Sequence, residues 1–176
     1  ILPVGNVDTF AICLYPIGFA NFVKTPLANL VDKETPISEL FGQEEAYELE
    51  QQMIQAINTR QRIEIVETFL LKILSEKNTI SNIVKTTVEA LLKTNGTTPI
   101  NVLLNDDISK RRQLERHFKK QIGISPKQLG KAIRLQTTLN LLLNKKSETL
   151  TEIAYESDYF DQNHFIKDFK DLVGVT

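Results

Sequence analysis

The chain repeats itself at an offset of 51 residues, and no other feature constrains its fold as much. Residues 118–125 read FKKQIGIS and residues 169–176 read FKDLVGVT. The likeness runs backwards: Leu114 aligns with Phe165, Arg116 with Lys167 and Asp107 with Asp158. One supersecondary unit is therefore expected twice. In the second copy Thr149 and Glu152 have capping-box spacing and open a short helix. Ile153 falls on its core side, and Ala154 is small where two helices must cross closely. Ser157 and Asp158 occupy the turn, where Asp tolerates a left-handed conformation. Asp161 then caps a longer helix, with Phe165 and Phe169 four apart on its buried side. The first copy runs from about Pro99 to Ile122, with Leu114 and Phe118 as its core pair. Short helix, turn, longer helix is the order of a helix-turn-helix, in which the second helix reads the DNA major groove.

Between the copies, Ser125, Pro126 and Gln128 have the spacing of a capped helix start with proline at its first position. That helix should run to about Asn144. Over 19 residues it spans about 28 Å. Successive major-groove faces lie ~34 Å apart, so two motifs on such a linker would bend their DNA, at a cost of order 1–6 kcal/mol. The two reading helices are expected at about 110–122 and 161–172. Ser109, Ser125 and Thr149 are read as caps.

Upstream the pattern changes. Residues 7–23 are rich in β-branched and aromatic side chains and predict one or two short strands, interrupted at Pro16 and Gly18. Residues 44–76 place Tyr47, Ile54, Ile57, Val66, Phe69, Leu70, Ile73 and Leu74 at helical spacings, with a break at Asn58 and Thr59. These apolar positions exceed what one side of a small domain needs, so a dimer seam is expected among them. An amphipathic helix covers 80–94, stopped by Asn95 and Gly96. The fold class predicted is mainly α with a short β segment at the N-terminus, and two helix-turn-helix motifs joined by a linker helix. Residues 1–77 read as a partial sensor or dimerisation region and residues 78–176 as the double helix-turn-helix domain. The chain begins without Met and ends at Thr176 inside the repeated pattern, so a piece of a longer protein is expected, with the C-terminal end of the domain missing.

Charge separates along the chain. The net charge is −1, but residues 1–95 carry −4 and residues 96–176 carry +3. Residues 105–134 alone carry +6, and residues 135–176 carry −3. A basic segment on a near-neutral chain fits a local phosphate footprint. The single cysteine, Cys13, excludes an internal disulfide and a multi-cysteine metal site, and a reducing cytoplasm is the expected location. No apolar run reaches the ~18 residues of a membrane span. No glycine-rich phosphate loop and no metal-spaced set of side chains is present, so no catalytic residue, metal or cofactor is expected.

The residues 114–126 (LERHFKKQIGISP), Arg134 and Leu135, Ile153 to Ser157 (IAYES) and Tyr159 to Lys170 (YFDQNHFIKDFK) resemble, in order, the AraC/XylS transcription regulators. The resemblance covers about residues 80–176. Residues 10–75 loosely resemble the sensor and helical region that precedes this unit in some members. The chain departs from the family in carrying Asp107 and Asp158 where turn glycines are usual, Leu103 where a small residue is usual, and a first turn one residue longer.

A reading helix presents its N-terminal outward residues to base edges. In the second copy these are Gln162, Asn163 and Lys167, and the resemblance implies the same positions. Gln and Asn suit the N6/N7 edge of adenine. In the first copy they are Arg111, Arg112 and Arg116, which suit guanine or a phosphate. Gln113 and His164 occupy matching places. Lys119, Lys127 and Lys131 extend the phosphate footprint. The expected partners are duplex DNA and RNA polymerase, a second copy of the chain, and a small-molecule effector on the upstream region; no membrane is expected. The alternative is a degenerate helix-turn-helix acting through protein–protein contact.

Overall fold

The computed structural model describes residues 8–74, 80–144, 149–157, 159 and 162–174. The chain divides into two units, Ile1–Ile80 and Ser81–Thr176.

In the first unit the expected strands are absent among the described residues. Residues 8–15 have no regular structure, and Pro16 to Gly18 turn the chain, with the Gly18 amide donating to the Tyr15 carbonyl at 2.8 Å. Two 3₁₀ turns follow, Phe19–Asn21 and Leu27–Asn29. A β-branched stretch becomes a strand only if another strand completes its hydrogen bonds, and Pro16 removes one donor. The helices are α1 (Ile37–Phe41), α2 (Gln43–Gln55) and α3 (Thr59–Ile73). The break expected near Asn58 is a cap: Asn58 Oδ1 accepts from the Gln61 amide at 2.9 Å. α2 packs on α1 and on α3, and the rings of Phe41 and Phe69 meet edge-on at 5.3 Å. The core is thin. Of the positions at helical spacing only Val66 is buried, whereas Tyr47, Ile54 and Ile57 are 63%, 77% and 83% exposed.

The second unit begins with α4 (Asn82–Lys93), which buries Val84, Val88 and Leu91. Asn95 and Gly96 end it with left-handed backbone (φ 51° and 73°), and the Gly96 amide closes the cap on the Leu91 carbonyl at 2.8 Å. Gly96 also touches the linker helix so closely that a Cβ there would collide with the Gly130 carbonyl oxygen. Then come α5 (Ile100–Leu103), α6 (Ile108–Gln121), α7 (Pro126–Asn144), α8 (Leu150–Glu156) and α9 (Gln162–Val173). α7 has the limits expected from sequence. Its start is a reciprocal cap: the Ser125 amide donates to Gln128 Oε1 (2.9 Å) and the Gln128 amide to Ser125 Oγ (3.2 Å). The capping box of α8 is likewise formed by Thr149 and Glu152.

α6 packs against α4 and α7, which enclose Leu114 and Phe118 completely. α8 and α9 pack against each other and α7, around Leu135, Ala154, Tyr159 and Phe165, with Leu139, Leu142 and Phe169 at the margin. Phe169, expected to be buried like its repeat mate Phe118, is only half-buried. α6 lies on α4 and α7, and α9 on α7 and α8, so the two helices differ in which neighbours they pack on and not in how many.

The first turn also differs from expectation. Its left-handed residues are Asn105 and Asp106 (φ 50° and 57°). Asp107, aligned with the turn, is instead the N-cap of α6, accepting from the amides of Ser109 and Lys110 at 2.9 and 3.0 Å. Ser109, read as a cap, lies inside the helix. The corresponding Asp158 and Asp161 lie outside the described residues.

Candidate nucleic-acid interface

α6 has one apolar edge, Leu114 and Phe118, and that edge fixes which side chains face out. At 100° per residue, positions 109, 112, 116 and 119 fall opposite it. Ile108, Ser109, Arg112, Gln113 and Arg116 accordingly line one shallow recess. Among the described residues Arg112 and Arg116 carry no ion pair, and both are exposed. Lys119 is exposed one turn further on. Arg111 lies beside the recess with its guanidinium on Glu115 at 3.3 Å. Asp107 anchors the helix start. The amide of Lys110, with smaller contributions from the Lys110 ammonium and the Ser109 amide, holds its carboxyl below the ordinary range. The sequence alone does not mark Ile108 as a member of this face. Ile108 is 70% exposed at the first position of the helix, where an apolar residue is more readily read as core.

On α9, Asn163 and Lys167 are exposed one turn apart. Gln162 is half-buried and accepts from the Thr151 hydroxyl at 3.1 Å, which ties it to α8. His164 is half-buried with its ring edge-on to Tyr159 at 5.3 Å.

Lys127 is exposed at the start of α7. Lys131, one turn later, turns inward. Its ammonium lies 2.8 Å from Asp168 and 3.4 Å from Asp171 on α9. Arg134 reaches the same Asp168 carboxylate at 3.0 Å and stacks its guanidinium on the Tyr159 ring at 4.4 Å. Asp168 is 1% exposed. Burial pushes its carboxyl up, but the hydrogen bonds and charges of Lys131 and Arg134 outweigh burial and hold it below the ordinary value. Lys131 is correspondingly raised, chiefly by its bond to Asp168, and burial raises Tyr159. Lys131 thus faces α9, whereas the α6 residues expected beside it in a footprint face outward. This cluster was not legible, because its partners are 34 to 40 residues apart and meet only through the packing of α9 on α7.

A cleft of about 1060 Å³ opens between the two copies, lined by Arg111, Lys127, Lys131, Arg134, His164 and Lys167 among others. Among the described residues no group of three or more His, Cys, Asp or Glu could hold a metal, and no helix is long and apolar enough to cross a membrane.

A short helix, a tight turn and a longer helix with a solvent-facing basic surface define a helix-turn-helix protein. Residues 109–176 match a family model described as a helix-turn-helix domain, in keeping with the resemblance noted for this part of the sequence. A curated relative, the HTH-type transcriptional regulator MtrA of Neisseria gonorrhoeae, is 42% identical over 60 residues, which are 34% of this chain. The matched stretch spans only 20% of that relative's length. No solved structure matches the chain.

Proposed function

We propose that the chain is a sequence-specific DNA-binding transcriptional regulator whose two reading helices, α6 and α9, enter adjacent major-groove segments. The observation that carries this reading is the outer face of α6. Two arginines with no ion pair among the described residues, Arg112 and Arg116, share one recess with Gln113 and Ser109 at the N-terminal half of the helix. Arginine donates two parallel hydrogen bonds to guanine or to a phosphate, and the N-terminal half of a reading helix is the part that reaches base edges. Lys119 and Lys127 extend the footprint along the backbone, with Arg111 held in reserve on Glu115. Gln162, Asn163, His164 and Lys167 form the weaker counterpart on α9.

α7 has the 19 residues that set the linker length, so the DNA bends to admit both helices. The likeness to a transcriptional regulator supports RNA polymerase as a partner, at a promoter and in the cytoplasm. The upstream unit serves as the sensor and dimerisation region. Its exposed Tyr47, Ile54 and Ile57 support self-association, and sedimentation as a strict monomer at high concentration would contradict it.

The direct test of DNA binding is titration with a random duplex pool at rising salt, followed by selection of bound sequences. A linear fall of log K with log salt and an enriched asymmetric site are expected. Absence of binding at low salt would favour a degenerate unit that works through protein–protein contact.

A further inference from the structure

The cleft between the two copies is more nearly neutral than its cations suggest. Arg111, Lys127, Lys131, Arg134 and Lys167 line it, together with four carboxylates. Of these carboxylates Asp168 alone is buried, and it alone holds two cations of the linker helix at once, Lys131 at 2.8 Å and Arg134 at 3.0 Å. It sits on the inner side of α9, six residues after Gln162 and five after Asn163, so whatever fixes Asp168 fixes the angle at which those two side chains leave the protein. The stack of Arg134 on Tyr159, the residue just after the second turn, adds a further hold on the same joint.

We propose that Asp168 is a positioning and specificity-determining residue, which seats the second reading helix on the linker helix and withholds Lys131 and Arg134 from DNA phosphates. This rests on the DNA-binding reading above. Affinity for any duplex comes from phosphate neutralisation, whereas discrimination comes from base edges. A cation already 2.8 Å from a buried carboxylate releases little further counterion when a phosphate approaches. Asp168 therefore lowers the sequence-independent part of binding and leaves the base contacts of Gln162 and Asn163 to decide. The acidity of the second copy then has a purpose in the binding reaction itself.

The test uses the whole 176-residue chain, with binding isotherms on its selected site and on random duplex at several salt concentrations. Asp168→Asn should bind random duplex several-fold more tightly at low salt and steepen its salt slope by about 1–2. The ratio of selected-site to random affinity should fall. Asp168→Glu, which keeps the charge, should keep the wild-type slope. Lys131→Gln should leave the slope of the wild-type protein unchanged and should reverse the steepening in the Asp168→Asn background. Equal weakening on both DNAs with an unchanged slope would reduce Asp168 to a structural residue and overturn the proposal. So would a flatter slope for Lys131→Gln alone, a result that needs no folded Asp168 variant. If the wild-type chain binds no duplex at any salt, the DNA-binding reading falls first and this role with it.

Discussion

The two copies of the repeated unit share a plan and differ in how they are held and charged. The longer helix of the first copy, α6, is packed by α4 as well as α7, buries Phe118 fully and, among the described residues, leaves Arg112 and Arg116 without an ion pair on its outer face. That of the second copy, α9, rests on α7 and α8, leaves Phe169 half-buried, and spends Asp168 and Asp171 on the linker helix. A duplicated motif thus need not duplicate its role. In our account the first copy supplies most of the attraction to phosphate and the second supplies discrimination.

The comparison can be broken first at the cores. Phe118→Ala should destabilise the second unit by about 3–5 kcal/mol, and Phe169→Ala by clearly less, read from urea unfolding midpoints. Equal losses would mean that the two copies are equally enclosed. Next comes the junction that braces the first copy. Gly96 has φ 73° and faces the Gly130 carbonyl, so Gly96→Ala should cost more than about 1 kcal/mol. Gly130→Ala, whose Cβ would meet its neighbours at 3.4 Å, should cost less. The caps should give smaller and similar effects in both copies. Asp107→Ala and Thr149→Ala should each cost about 0.5–2 kcal/mol, since each side chain satisfies helix-start amides. The smallest effect is the part of the acid sensitivity that Asp168 gives the second copy. The Asp168 carboxyl is held below its ordinary 3.8, so its stabilisation is complete above that value and is lost as pH falls through the lowered one. Asp168→Asn should lack this part of the acid transition, which unfolding curves between neutral and strongly acid pH would show.

How much of this was legible depended on the range of the interaction. Local signals were read correctly: the Ser125 and Thr149 caps, the Asn95–Gly96 stop, the full length of α7, and the burial of Leu114, Phe118 and Ile153. Each needs only neighbours within a few residues. The strands expected over residues 7–23 failed because strand formation depends on partners, and composition carries no information about those. Asp107 was placed in the turn because alignment to the repeat cannot tell a left-handed residue from the cap that follows it. Spacing puts Tyr47, Ile54 and Ile57 on helix faces but does not say what lies opposite them; in the structure all three are exposed, as the expected dimer seam requires. Lys131 was assigned to the phosphate footprint from charge alone; its engagement with Asp168 and Asp171 depends on how α9 crosses α7, which no local pattern encodes. For the same reason the Arg134–Asp168 pair was missed.

The division of labour between the copies is tested most directly by salt-dependent isotherms on selected and random duplex for Arg112→Ala, Arg116→Ala and Gln162→Ala. Each arginine change should weaken binding to both DNAs and flatten the salt slope by about 1. Gln162→Ala should cost about 1–3 kcal/mol on the selected site alone and leave the slope unchanged. Equal loss on both DNAs for Gln162→Ala, or an undiminished slope for both arginine variants, would contradict the account.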